Sequence, residues 1–505
     1  MVLKLKVKNL PIYGAENHAF LHWKDGRKLN LLGGERIKVS TRFKSKTYIV
    51  KIDKEGNLVK EGEIVLSQTS ASTKTYFKDG CIVQVKPVES PKSKHIIKKK
   101  IEGKELSSAE IKQLVEDIYY DRLDKIELAG FITAVYIQGY SIRETTALTK
   151  EMYKYGDRIT WPFHWKIMDK HSIGGVPGNR TTPLVVSIVA STGLKIPKTS
   201  SRSITSPAGT ADTIEVVAPV EFSANEIKRI VKKTNGCLVW GGALDLAPVD
   251  DKLIRVEHPL SLDPEGQVIA SILSKKKSVG SKYVLIDIPY GEGSKVETLQ
   301  EAEMMAEKFK IVGAKVDMVV ESVITKGDEP IGRGIGPVLE MIDIIAVLHN
   351  RGPSDLKTKA LELAGQILQM GGKGDIETAK QILQQGKAYK KFKEIIEAQG
   401  GSLHKAFTDM LGTATYEVKA DQKGYITHIS NKLIAEIAKR AGAPSFKGAG
   451  VYLYKKKGEA VKKGEVLFKI YAQNEKKLDY ALEVLKKENP YRITQKQAYI
   501  VEKVF

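Results

Sequence analysis

The stretch Asp169-Lys170-His171-Ser172-Ile173-Gly174-Gly175-Val176-Pro177-Gly178-Asn179-Arg180-Thr181-Thr182 packs a lysine, an arginine, three hydroxyl residues and three glycines into fourteen positions. Glycine lets backbone approach an oxyanion closely and present its N–H groups, while hydroxyls and an ammonium add donors and charge. The apolar run Pro183-Leu184-Val185-Val186-Ser187-Ile188-Val189-Ala190 follows at once and reads as a buried helix or a buried strand. A helix beginning near Arg180 would add the positive end of its dipole. Composition leaves two readings open, an anion-binding loop or a tight surface turn. A Walker A loop is excluded, because its glycine and lysine spacing is absent.

Further along, Thr199-Ser200-Ser201-Arg202-Ser203-Ile204-Thr205-Ser206-Pro207-Ala208-Gly209-Thr210 is too polar for a strand interior. It suits a second wall of the same pocket, or a serine-rich turn. Outward from this pair the texture changes in blocks. Residues 1–85 read as short strands with turns at Gly33-Gly34 and Gly56-Asn57, a small β-rich domain. Past a connector holding Pro87 and Pro91, residues 86–165 read as helical. Ser107 with Glu110 and Ser141 with Glu144 form capping boxes there, and Ile126–Tyr140 carries the apolar stripe of a core helix. Residues 166–412 alternate apolar strands, glycine turns and helices, which is α/β texture. Residues 413–505 return to short strands, ending in Lys496–Phe505, and read as α+β.

No run of about 18 apolar residues marks a transmembrane candidate. The N-terminus alternates apolar and basic residues like a strand and lacks the features of a signal peptide. Cys81 and Cys237 are too few for a disulfide framework or a zinc site. They read as two buried thiols or one disulfide, and the expected compartment is the reducing cytoplasm. The net charge of +21 favours anionic ligands, phosphate esters among them, and also admits nucleic acid. Much of that charge reads as solvated lysine runs: Lys98-Lys99-Lys100, Lys275-Lys276-Lys277 and Lys455-Lys456-Lys457. Interleaved surface aromatics and a recognised binding motif are lacking, which leaves nucleic-acid binding a remote alternative. A Lys/Glu-rich surface with few cysteines fits a thermophile. No cluster of metal ligands is visible. Gly332–Pro337 has proline where a dinucleotide fingerprint has its last glycine, so it is set aside.

Five segments, in order, resemble the pyrimidine nucleoside phosphorylase family: Lys170–Asn179, Ser200–Glu215, Ala270–Val296, Glu329–Glu340 and Gly450–Ala472. The resemblance spans residues 105–500. Within the family the chain is similar to the AMP phosphorylase branch. It carries the extra β domain, and Ser201–Ser206 replaces a glycine-rich segment with a histidine. Asn179-Arg180 and the loop ending at Lys295 add donors of the kind a 5′-phosphate needs.

The resemblance implies a multidomain α/β protein whose helical domain regains residues 250–280. It implies phosphorolysis of nucleoside 5′-monophosphates, AMP and phosphate giving adenine and ribose 1,5-bisphosphate, with CMP and UMP as further candidates. A thymidine or uridine phosphorylase is the alternative. Inorganic phosphate is the implied co-substrate, with no cofactor or metal, and the implied assembly is a homodimer or larger homo-oligomer. Lys170, Ser172, Thr182, Ser200 and Thr210 would hold the phosphate. Gly175, Ser201, Arg202, Ser203, Ile204, Thr205, Ser206, Thr210, Ser271, Lys275 and Lys295 would bind the nucleotide. Asp263 matches an aspartate of AMP phosphorylases and would protonate the leaving base. The residues alone read Asp263-Pro264-Glu265 as a helix start, with Asp263 as N-cap and Pro264 in the first position. Ser271 and Lys275, one turn apart, share a helix face, although Lys275 sits in a lysine run that also reads as solvated. His171 matches a pyrimidine-contacting histidine, and His164 and His258 read as structural or surface residues.

Overall fold

The computed structural model describes residues 1–10, 18–67, 76–203, 206–404 and 406–495. The chain divides into two compact units, one of Met1–Tyr155 with Ala247–Ser271, the other of Gly156–Leu246 with Ile272–Phe505. No helix among the described residues is long and apolar enough to cross a membrane.

In the first unit, strands β1 (Leu3–Lys8), β2 (His18–His22), β3 (Arg36–Ser40), β4 (Ser45–Asp53), β5 (Glu63–Leu66) and β6 (Ile82–Val88) close into a barrel. The order around it is β1-β5-β2-β4-β3-β6. Period-2 alternation drives this closure: Leu5, Val7, Ile37, Val39, Val83 and Val85 point inward while lysines alternate with them outside. A short helix, α1 (Trp23–Lys28), follows β2. Then come α2 (Ser93–Ile101), α3 (Ser108–Tyr119), α4 (Lys125–Gln138) and α5 (Ile142–Tyr155), which share a core with the helix Pro248–Leu260 through Leu114, Phe131, Leu148, Met152 and Leu253. Both capping boxes form. In the second, Ser141 N donates to Glu144 at 2.8 Å and Glu144 N to Ser141 Oγ at 3.1 Å. α4 buries a stripe of Leu128, Phe131, Ile132 and Val135, and leaves the further apolar residues Ile126, Tyr136 and Ile137 exposed.

The second unit is built on β7 (Met168–Ser172), α6 (Thr181–Ser191), β8 (Ile196–Ser200), α7 (Thr210–Ile214), α8 (Ala224–Thr234) and β9 (Gly236–Trp240). After α9 (Pro248–Leu260) and α10 (Glu265–Ser278) come β10 (Tyr283–Tyr290), α11 (Leu299–Lys315), β11 (Val319–Lys326), β12 (Gly334–Ile335), α12 (Pro337–Leu348) and α13 (Ser354–Gly371). β7 and β11 flank β10 in a parallel sheet, and β8 pairs with β9, also parallel. The apolar run after Arg180 is a helix. Leu184, Val185, Val186, Ile188 and Val189 are all buried, because α6 lies inside a core with α12 and α13. The C-terminal part holds two antiparallel sheets, β12 pairing into the first, with the helices Asn431–Ala441 and Glu475–Lys487.

Three sequence expectations need correction. None of the lysine runs is a solvated face throughout. Each contributes a lysine held by carboxylates: Lys100 to Glu144 at 2.8 Å, Lys276 to Asp169 at 3.0 Å and Lys456 to Asp355 at 3.1 Å. Lysine's long apolar stem lets one member of a run turn towards a carboxylate, which is buried for Lys100 and Lys276 and exposed for Lys456. The helix after Asp263 begins at Glu265, and Pro264 O accepts from Val268 N at 3.0 Å, so the start lies one residue later than the cap reading places it. Surface aromatics do interleave with cations: Phe43 is fully exposed between Arg42 and Lys44. Cys237 is buried, Cys81 is half-buried, and both are free thiols. The tail Lys496–Phe505 lies outside the described residues.

Candidate active site

The first loop grows out of a buried carboxylate. Asp287 is the lone charge in the apolar strand β10, and the register places it beside Ser172 of β7. It accepts from Ser172 Oγ, from Thr325 Oγ1 at 2.7 Å and from Asn179 Nδ2 at 3.4 Å. Lys359 of α13 pairs with it at 3.0 Å, and Lys170 Nζ lies 3.9 Å away. Burial pushes the Asp287 carboxyl up, but the two lysines and the two hydroxyls outweigh it and hold the group below its usual range. Lys170 is fully buried and donates to Thr181 Oγ1, in the first turn of α6, at 2.8 Å. Burial lowers its pKa to about 8, against the pull of Asp287. Gly175, at φ +109°, lies so close to the strand-following loop that a Cβ would meet Lys295 N at 2.8 Å. That contact brings the loop ending at Lys295 onto the glycine pair.

A second buried carboxylate lies behind the first. Asp169 receives Lys276 at 3.0 Å, Ser281 Oγ at 3.1 Å and Lys198 at 3.7 Å. Four buried lysines thus share two buried aspartates, and burial, reinforced by Lys276, holds Lys198 well below its usual pKa. Burial, reinforced by Lys276, Lys198, Lys170 and Lys275, holds His171 well below its usual pKa, so its imidazole is neutral.

Arg180 joins the two motifs. Its guanidinium pairs with the buried Glu340 of α12, donates to Ala208 O at 2.6 Å and reaches Thr210 Oγ1 at 3.4 Å. The starts of α6 and α7 therefore meet at one side chain. The serine-rich segment wraps α7: Ser203 N and Gly209 N both donate to Asp212, at 2.7 and 2.8 Å, and Ala211 N donates to Ser201 O at 3.3 Å. Ser203 and Ser206 donate their hydroxyls to backbone carbonyls of the same loop. Ser200 Oγ, at the end of β8, is buried with no hydrogen-bond partner among the described residues.

Arg202 is held by carboxylates. It forks onto Glu215 at 2.7 and 2.8 Å and onto Glu221 at 3.0 Å, and its guanidinium stands 4.8 Å over Trp240. Arg202 in turn lowers Glu215 to a pKa of about 2. Thr182 is buried in the first turn of α6. Lys275 is half-buried on α10, and Lys295 is exposed. Asp263 and Ser271 belong to the other unit, where Asp263 is exposed and Ser271 Oγ donates to the buried Asp250 at 2.7 Å. Ile204 and Thr205 lie outside the described residues. His164 and His258 are exposed. Sequence reasoning missed Asp169, Asp287, Lys198, Lys276, Lys359 and Glu340. The readable signal for Asp287 was a single charge inside an apolar run, since such groups are buried only when paired.

Residues 94–156 match the helical bundle domain of a glycosyl transferase family, and residues 164–389 match that family's a/b domain. Residues 425–492 match the C-terminal domain of pyrimidine nucleoside phosphorylases. The chain is 45% identical over 497 residues to an AMP phosphorylase of Thermococcus kodakarensis, covering 97% of this chain and 98% of the relative. The chain belongs to the AMP phosphorylase family. A relative of that name in Natronomonas pharaonis is 42% identical over 99% of this chain and 100% of its own length. Another, in Methanocaldococcus jannaschii, is 43% identical over 97% and 98%. The family's fold is shared more widely: an anthranilate phosphoribosyltransferase of Thermus thermophilus superposes with a TM-score of 0.51 at 16% identity, over 60% of this chain and 99% of that one.

Proposed function

We propose that this chain is a pentosyltransferase that cleaves the N-glycosidic bond of AMP with inorganic phosphate, yielding adenine and ribose 1,5-bisphosphate, with CMP and UMP as further substrates. The observation that carries this reading is the convergence of two glycine- and hydroxyl-rich loops on Arg180, beside four buried lysines that share only two buried aspartates. Buried lysines that outnumber their carboxylates, and whose pKa values burial depresses, gain from a further anion beside them. Kinship over nearly the whole chain with proteins named AMP phosphorylase supports the choice of substrate.

In the proposed reaction a phosphate oxygen forms a bond to C1′ as the bond to the base nitrogen breaks. The bonding pair leaves with the base, which takes up a proton. Hydrogen phosphate loses one proton overall and adenine gains one, so the reaction balances without another reactant. Lys170, Ser172, Thr182, Ser200 and Thr210 hold the phosphate at the starts of α6 and α7, where backbone N–H groups and the α6 dipole favour an anion. Gly175, Ser201, Arg202, Ser203, Ile204, Thr205, Ser206, Ser271, Lys275 and Lys295 are proposed for the nucleotide. Asp263 supplies the proton to the leaving base. A cytoplasmic homodimer or larger homo-oligomer is proposed as the working form.

The test is a screen for free base across nucleosides and their 5′-monophosphates, with and without phosphate. Phosphate-dependent adenine release from AMP is expected. Absence of release in phosphate buffer at elevated temperature would refute the proposal, and faster turnover of uridine than of any nucleotide would favour the nucleoside reading.

A further inference from the structure

The Ser172 hydroxyl has its proton committed. It donates to Asp287 Oδ2, and its oxygen accepts from Asn179 Nδ2 at 3.0 Å. A hydroxyl carries one donor and two acceptor lone pairs, so Ser172 has one lone pair left and no proton to offer. Asn179 is oriented the same way. Its Nδ2 serves Ser172 and Asp287, and its Oδ1 is buried with no partner among the described residues. Rotating the amide would place Oδ1 against the Asp287 carboxylate, so the assignment is fixed by charge. A site rich in lysines thus contains, in Ser172 Oγ, an acceptor that a fully ionised oxyanion has no means to satisfy, and Asn179 Nδ2 helps to hold it in that role.

We infer that Asp287, by holding Ser172 as an acceptor with Asn179 donating to it, makes the site selective for an oxyanion that carries its own proton. This rests on the phosphate-site reading above. Hydrogen phosphate donates its P–OH to an orphan acceptor and takes its other bonds from the lysines, hydroxyls and helix N–H groups. Sulfate, of the same size and charge but unprotonated, turns an oxygen lone pair towards another lone pair. Ser172 is then a specificity-determining residue, and Asn179, Asp287 and Lys359 position it.

The test compares phosphate and sulfate on the full-length protein, by competition in adenine release from AMP and by direct calorimetric titration. Wild type is expected to bind sulfate more weakly than phosphate by on the order of tenfold to a hundredfold, the usual cost of an unsatisfied buried polar group. Ser172→Ala is expected to weaken phosphate while leaving sulfate unchanged or tighter, so that the ratio collapses. Asn179→Ala is expected to shift it the same way, and stands in if the serine variant does not fold. Equal weakening of both anions in the two variants would overturn the inference, because it would make these groups donors. Titration separates the two readings. Discrimination without adenine release would uphold selectivity and refute the reaction. Adenine release with equal affinity for both anions in wild type would do the reverse.

Discussion

Gly209 tests the two-loop cradle most directly. It sits at φ −94° and ψ 165°, a conformation alanine adopts without strain, so Gly209→Ala perturbs only space. An added Cβ would lie 2.5 Å from the carbonyl carbon of Arg202 and from Ser201 O, and 2.7 Å from Ser203 N. Ordinary contact begins at 3.4 Å, which is 0.9 Å further out than the 2.5 Å available. The neighbours are backbone, so no side chain can swing aside, and the serine-rich segment must move off α7. That displacement stretches the bonds of Ser203 N to Asp212 and of Ala211 N to Ser201 O. Overpacking of this kind costs about 1–3 kcal/mol in stability. Displacing phosphate-binding groups by about 1 Å costs about 10²-fold in rate. The assay is adenine release from AMP over a range of phosphate concentrations, with thermal unfolding measured alongside. Gly33→Ala, where a Cβ meets nothing within 4 Å, is the matched control. Wild-type kcat and phosphate KM in a folded Gly209→Ala protein would refute the claim that this segment must lie against α7 for the site to work.

Asp263→Asn is expected to leave phosphate binding intact and to lower turnover on AMP by about 10²–10⁴-fold, the usual weight of one proton transfer, and calorimetry with phosphate beside steady-state rates checks both halves. Lys170 titrates below the ordinary lysine range, so its charge is present below about pH 8 and lost above it. kcat/KM for phosphate should therefore fall about tenfold per unit on the alkaline side of that value, and a flat profile up to pH 9 would remove Lys170 from the site. Glu340→Gln strips the charge partner from the buried Arg180 and should destabilise the protein by about 3–5 kcal/mol, seen as a large fall in Tm. Gly130 lies inside α4 where an added Cβ would meet nothing within 4 Å, and Gly130→Ala should raise stability by up to about 1 kcal/mol, read from denaturant unfolding.

The division into β-rich, helical, α/β and α+β parts was legible because strand-like and helix-like stretches follow one another in a different order in each part. Capping boxes at Ser107 and Ser141 were readable because they act within four residues of chain. The run after Arg180 was not, since an element apolar on every side shows no period to separate helix from strand. Both polar loops could be picked out by composition, which left each open as an anion loop or a turn, but the groups that hold them in shape could not. Asp287, Lys359 and Glu340 are brought to the loops from strands and helices more than a hundred residues away, and only the tertiary fold pairs them. Arg202 stood out in the sequence by its place in a polar motif, but the motif did not show that Glu215 and Glu221, also nearby in sequence, engage its guanidinium.

The six-stranded barrel has a consequence for how copies of this chain can come together. A closed cylinder has no first or last strand, so its backbone hydrogen bonds are spoken for and no further strand can zip onto a rim. Any self-association through this part of the protein has to run through side chains such as Phe43 and its flanking cations. It would then respond to ionic strength and to single substitutions, as side-chain interfaces do and templated strand addition does not.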